Sequence, residues 1–166
     1  MDAKADKQER NQYLTFMLGK EVLAIGILAI KEILEYEQPT DIPMMPGFIR
    51  GVINLRGAVV PVVDLAARLH RATAAVNKKT CIVIVEASVR GETQVMGVVV
   101  DAVNEVLEIA TSEIEPPPAM GSAVAIEYLA GLGRVEGKFV IILDVDKVLT
   151  IEQFDTLEQA AASAAA

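Results

Sequence analysis

A fifteen-residue stretch occurs twice in this chain. Gly51–Leu65 reads Gly-Val-Ile-Asn-Leu-Arg-Gly-Ala-Val-Val-Pro-Val-Val-Asp-Leu. Gly131–Val145 reads Gly-Leu-Gly-Arg-Val-Glu-Gly-Lys-Phe-Val-Ile-Ile-Leu-Asp-Val. Each copy is a β-rich run, a charged residue followed by glycine, and a second β-rich run ending at aspartate. That pattern predicts a hairpin, because glycine supplies the positive φ of a tight turn. Gly51, Gly57 and Asp64 fall opposite Gly131, Gly137 and Asp144, with Arg56 before one turn glycine and Glu136 before the other.

The repeat extends upstream. Glu21-Val-Leu-Ala-Ile25 matches Gln94-Val-Met-Gly-Val98, Ile30-Lys-Glu-Ile-Leu34 matches Val103-Asn-Glu-Val-Leu107, and Pro43 falls on Pro116. The offset then grows from 73 to 80 residues, a seven-residue insertion in the second loop. Two half-repeats, about 13–70 and 80–149, therefore each carry about five strands. Five short strands hide their edges best by closing into a small barrel. Two such barrels bury little alone, so they are expected to share a core, with a groove between them as the natural binding surface.

Around this frame the chain reads as follows. Met1–Gln12 is charged and lacks an apolar run, which predicts a flexible tail. Tyr13–Leu18 and Glu21–Ile25 predict a hairpin about Gly19-Lys20. Leu28–Glu32 predicts a helical turn before an extended Ile33–Glu37, and the prolines of Gln38–Gly47 predict a loop. Asp64 is placed to cap a short helix, as is Asp144. Thr80–Glu86 and Thr93–Val100 read as strands; Val103–Ile109 fits strand or helix. Ala110–Ser122, with three consecutive prolines, reads as a loop. Thr150 with Gln153 resembles a capping box, and Ile151, Phe154 and Leu157 predict a C-terminal helix before a fraying alanine-rich end, residues 151–166.

Composition excludes several functions. The chain has 166 residues, 52% of them hydrophobic and only 4% aromatic, and its net charge is −8. Phosphate recognition needs a concentrated basic face, and none is present, which leaves a small-barrel nucleic-acid binder as the weaker alternative. The longest uncharged apolar stretch near the front, Val22–Ile30, is far short of a membrane span, and no secretory signal is visible. A single cysteine, Cys81, fits a reducing cytosol and reads as an inert thiol in an apolar strand. His70 is the lone histidine and makes no metal site. Gly131-Leu-Gly-Arg precedes a strand, unlike a dinucleotide loop. No cofactor, metal or catalytic set is expected.

Two charged residues remain. Glu32 lies in an apolar frame, and Arg56 tips the first hairpin. A pair between them across one barrel would orient Arg56 toward a partner.

These motifs resemble the CheW family of bacterial chemotaxis coupling proteins over roughly Tyr13–Thr150. The resemblance rests on Phe16-Met-Leu-Gly19, Ile30-Lys-Glu-Ile33, and Phe48-Ile-Arg-Gly-Val-Ile-Asn-Leu-Arg-Gly57 running on to Pro61 and Asp64. Gly97–Val103 and Glu127–Gly133 extend it. It implies an all-β fold of two SH3-like five-stranded barrels and no catalysis. It implies a cytoplasmic adaptor linking the tips of methyl-accepting chemoreceptors to the regulatory domain of a chemotaxis histidine kinase. That domain has the same double-barrel fold, so barrel ends can pair and build rings. On the family pattern, Ile30, Glu32, Ile33, Asn54, Arg56, Ile82, Val83, Val99 and Val103 line or support a receptor groove. Phe48 and Gly51 are candidates for the kinase contact.

Overall fold

The computed structural model describes residues 10–116 and 126–150; the expected C-terminal helix lies outside them. Eleven strands are defined among these residues: β1 (Arg10–Leu18), β2 (Glu21–Gly26), β3 (Ile30–Glu35), β4 (Ile49–Leu55), β5 (Ala58–Asp64), β6 (Cys81–Val89), β7 (Glu92–Val100), β8 (Ala102–Ala110), β9 (Ile114–Glu115), β10 (Leu129–Val135) and β11 (Lys138–Leu143). One-turn helices, Leu65–Arg68 and Val145–Val148, follow β5 and β11. Asp64 accepts a hydrogen bond from the Ala67 amide and Asp144 from the Lys147 amide, so both expected caps are present.

Some boundaries move. Arg10–Gln12, expected in the tail, open β1 and pair with Glu108–Ala110 of β8. The turn after β2 is a 3-10 turn at Ile27–Ala29, and the strand begins already at Ile30. The ambiguous Val103–Ile109 is a strand because both ends of β8 have β1 to bond. Part of the predicted proline loop is β9, which bonds the edge of β10.

The strands form two sheets, ordered β8-β1-β2-β11-β10-β9 and β3-β6-β7-β5-β4. These are the two SH3-like β units, but neither is built from one half of the duplication. The β1–β2 hairpin of the first half sits in the sheet of the second half, where β2 runs parallel to β11. The β6–β7 hairpin of the second half sits with β3, β4 and β5, where β7 runs parallel to β5. The halves have exchanged their leading hairpins. We call the β3–β7 unit the first barrel and the other the second.

The exchange places the two leading hairpins, β1–β2 and β6–β7, at the centre. On β1, Leu14, Phe16 and Leu18 face one way; on β6, Val83 and Val85 do, and on β7, Met96, Val98 and Val100. All join one cluster with Leu23, Ile25, Leu65, Leu69, Val148 and Leu149, which spans both barrels. The alternate residues fill the barrels: Ile82, Ile84 and Val99 with Ile53 and Val60 in the first, Ala24, Ile109, Val140 and Ile142 in the second. A strand buried on both faces has no polar side, which is why Thr80–Glu86 reads as an unbroken apolar run. Burying one such side chain contributes ~1.5–3 kcal/mol, so the shared cluster outweighs either interior.

A bulge displaces one residue at the start of each repeated hairpin, Arg50 between Ile49 and Gly51 and Ala130 between Leu129 and Gly131. Beyond each bulge a passing segment lies across the glycine. Thr40 exchanges two backbone hydrogen bonds with Val52, at 2.8 and 2.9 Å, directly over Gly51. A Cβ on Gly51 would stand 2.0 Å from the Thr40 carbonyl oxygen, and the backbone there has φ 137°. Glu115 of β9 lies over Gly131 in the same way, its oxygen 2.9 Å from a built Cβ.

Candidate functional site

Both central residues of the β4–β5 turn have positive φ, 51° at Arg56 and 87° at Gly57. This is the geometry that matches hairpin twist. Asn54 steadies it by accepting a hydrogen bond from the Gly57 amide at 2.9 Å. Positive φ is uncommon for a side chain the size of arginine, and the turn aims Arg56 at the strand on the opposite edge of the same barrel. Its two terminal nitrogens donate to the two carboxylate oxygens of Glu32 on β3, at 2.5 and 2.9 Å. The Arg56 side chain is 73% exposed and that of Glu32 23%, so the fork grips from the solvent side.

The hydrogen bond from Arg56 holds the Glu32 carboxyl below the usual carboxylate range. A carboxylate with a depressed folded pKa stabilises the fold above its ordinary value. That contribution is lost as pH falls through the depressed one. In a carbon-detected NMR titration, Glu32 should therefore remain ionised at a pH where a free glutamate side chain is half protonated. Arg56→Ala should raise it toward the free value, and a Glu32 titration unmoved by that change would refute the pairing.

The other expected residues divide by burial. Ile33 is 44% exposed on β3 and Asn54 is exposed at the turn. Ile30 and Val103 are half-buried, each packed on the shared core. Ile82, Val83 and Val99 are buried: Ile82 and Val99 inside the first barrel, Val83 between the barrels. These three can support a surface but present nothing to a partner. Gly51 is also buried, beneath Thr40, where close backbone approach leaves no room for a Cβ. Phe48 is half-buried, its ring 5.0 Å from the Arg68 guanidinium. Cys81 is half-buried, and burial first and the Glu35 carboxylate second push its thiol up, as expected of an inert cysteine.

Comparing the two copies exposes what one copy conceals. Ile33 corresponds to Val106 on β8, which is 46% exposed and was not singled out by motif. The repeat offset alone would have found it. Glu32 corresponds to Glu105, and Arg56 to Glu136. The second barrel thus carries two like charges where the first has an ion pair. Arg50 corresponds to Ala130. Freed by the bulge, Arg50 donates through Nε and Nη2 to Asp64 Oδ2, at 3.2 and 3.1 Å, and through Nη1 to the Tyr36 hydroxyl at 3.0 Å. Thr73 also donates to Asp64 Oδ2, at 2.8 Å. Among the described residues no group of three or more His, Cys, Asp or Glu side chains could hold a metal.

The family model for the CheW-like domain matches residues 12–153. This chain belongs to the CheW family. Within that family it is 36% identical over 152 residues to the chemotaxis protein CheW of Klebsiella aerogenes, covering 92% of this chain and 89% of that protein. It is 32% identical over 151 residues to the CheW of Bacillus subtilis, covering 89% and 92%. Among solved structures it is similar to the scaffolding protein TtCheW of Thermoanaerobacter tengcongensis. The TM-score is 0.78 at 32% identity, with 87% of this chain and 90% of that one covered. A CheW-family protein is a non-catalytic scaffold of chemotaxis. No helix among the described residues is long and apolar enough to cross a membrane.

Proposed function

We propose that this CheW-family protein is a cytoplasmic adaptor that couples transmembrane chemoreceptors to the chemotaxis histidine kinase within signalling arrays. The observation that carries this reading is the Glu32–Arg56 fork on an exposed edge strand beside Ile33, in one barrel of an otherwise duplicated scaffold. A receptor tip is a helical bundle. A small apolar strand face rimmed by an oriented charge suits such a helix. Ile30, Ile33 and Asn54 stand with the fork on the first barrel, and Val103 begins the corresponding strand of the second. Ile82, Val83 and Val99 fix the backbone beneath them. Phe48 and the strapped Gly51 hold the base of the β4–β5 hairpin, on the side that faces the kinase regulatory domain. Each contact is small, and arrays gain strength from many simultaneous ones.

The test is co-sedimentation of the purified protein with a receptor signalling fragment and the kinase, with kinase autophosphorylation as the second readout. The protein should join both partners in the pellet and raise autophosphorylation. Absence of either effect rejects the reading. Arg56→Glu places two carboxylates where the fork stands and should weaken coupling on the order of tenfold or more. Its circular dichroism and melting temperature should match the unsubstituted protein, because an exposed pair adds little to the fold. Full coupling by that variant would remove Arg56 from the site.

A further inference from the structure

The duplication is broken at one more place, and there the two barrels meet. Arg68 closes the helix after β5, and its counterpart after β11 is Val148. The Arg68 side chain crosses between the halves. Nε donates to the Val148 carbonyl at 2.7 Å and Nη2 to the Thr150 carbonyl at 3.1 Å. These are carbonyls at the C-terminal end of the opposite helix, left without intrahelical donors, where a positive charge is favoured. The guanidinium carbon also lies 5.0 Å from the centroid of Phe48 and 5.0 Å from that of Tyr128. Phe48 and Tyr128 are themselves equivalent in the repeat: each carbonyl accepts from the capping aspartate of its own half, Phe48 from the Asp64 amide and Tyr128 from the Asp144 amide.

We infer that Arg68 is a latch between the barrels, a positioning residue that sets how the two units sit relative to one another. One cation satisfies both aromatic faces of the pseudo-symmetric junction and both open carbonyls of the far helix. Arginine suits this, since its plane stacks while its edge donates in a fork. Val148 is apolar and returns nothing, so above the shared apolar cluster this link between the two helices runs one way, from Arg68. The inference concerns barrel geometry and stands whether or not the receptor and kinase assignment holds.

Hydrogen exchange of the whole protein tests it. The Val148 and Leu149 amides close the far helix by donating to the Asp144 and Val145 carbonyls. In Arg68→Met they should exchange on the order of tenfold faster, the scale of losing hydrogen bonds from a charged donor. Exchange in the β4–β5 hairpin should stay unchanged. A readout that plain destabilisation does not move is the distance between spin labels on the two barrels, at Ala58→Cys and Lys138→Cys in a Cys81→Ala background. Its distribution should widen in Arg68→Met. Arg68→Lys keeps the charge and loses the fork, and should restore part of both signals. Unchanged exchange at Val148 and Leu149 would overturn the inference. So would equal acceleration in β4–β5, an unwidened distance distribution, or no recovery with lysine.

Discussion

The first half of the chain, expressed alone and ending in the linker at Ala74, should form no monomeric barrel. It contains β1 to β5, yet β1 bonds β2 and β8, β2 also bonds β11, and β3 bonds β6. Three of those partners belong to the other half. The shared cluster loses Val83, Val85, Met96, Val98 and Val100 as well. Far-UV circular dichroism and amide proton dispersion of the dilute fragment should resemble an unfolded chain. Mixing it with the complementary fragment should restore a dispersed spectrum, since every strand pair is then available. A half on its own has one other route, exchanging its leading hairpin with a second copy of itself, so any structure it gains must grow with concentration. A dispersed, concentration-independent spectrum from one fragment would show that the exchange does not bind the halves together.

Gly51→Ala should be among the most damaging single substitutions. The added methyl would meet the Thr40 carbonyl oxygen at 2.0 Å, and a residue held by two backbone hydrogen bonds to Val52 cannot swing aside. The φ of 137° is a second penalty. Overpacking and backbone strain each cost ~1–3 kcal/mol, so a loss of ~2–6 kcal/mol is expected. With a urea m-value of about 2 kcal/mol/M, that corresponds to a fall of ~1–3 M in the midpoint. Gly57→Ala separates the two causes. It also has positive φ, 87°, but nothing lies within 4 Å of its built Cβ, so it should lose only ~1–2 kcal/mol. Equal losses at the two positions would show that the Thr40 strap gives way. Gly51→Ala should also weaken coupling, but together with the fold. Arg56→Glu should do so without it, and that contrast distinguishes a supporting residue from a contact.

Local features were legible in the sequence because they depend on local chemistry. A charged residue and glycine between β-rich runs can close only a tight turn, and the repeated aspartate before a short apolar segment can only cap. The Glu32–Arg56 pair was legible as well: the repeat fixed two strands of one small barrel, and these were the charges left without a structural task. The hairpin exchange was not legible. In a duplicated chain the leading hairpin of either half offers nearly the same side chains to either barrel, so the apolar pattern cannot choose. The choice belongs to the connections, the short Ile27–Ala29 turn and its counterpart at Asp101, which carry the chain across. Ile82, Val83 and Val99 entered the groove set from the family pattern, which marks positions; that they are buried was not legible, because a strand buried on both faces looks like one with an apolar face to spare. Arg50, Arg68 and Val106 were missed for want of a motif. All three become visible on asking what stands opposite them in the repeat: alanine, valine and the exposed Ile33.

The exchanged hairpins also set the order in which the molecule can be completed during synthesis. The earliest of the described hairpins, β1–β2, carries Leu14, Phe16, Leu18, Leu23 and Ile25 and leaves the ribosome before the strands it pairs with. The barrel made from β3 to β7 can close once Val100 has emerged. The hairpin made earliest must wait for β8 and then for β10 and β11, ending at Leu143. At bacterial and eukaryotic elongation rates of ~5–20 residues per second, that leaves a strongly apolar pair of strands uncovered for ~6–25 s. Substitutions that slow closure of the second barrel should therefore appear first as lost soluble yield in the cell, with the finished protein's stability scarcely changed.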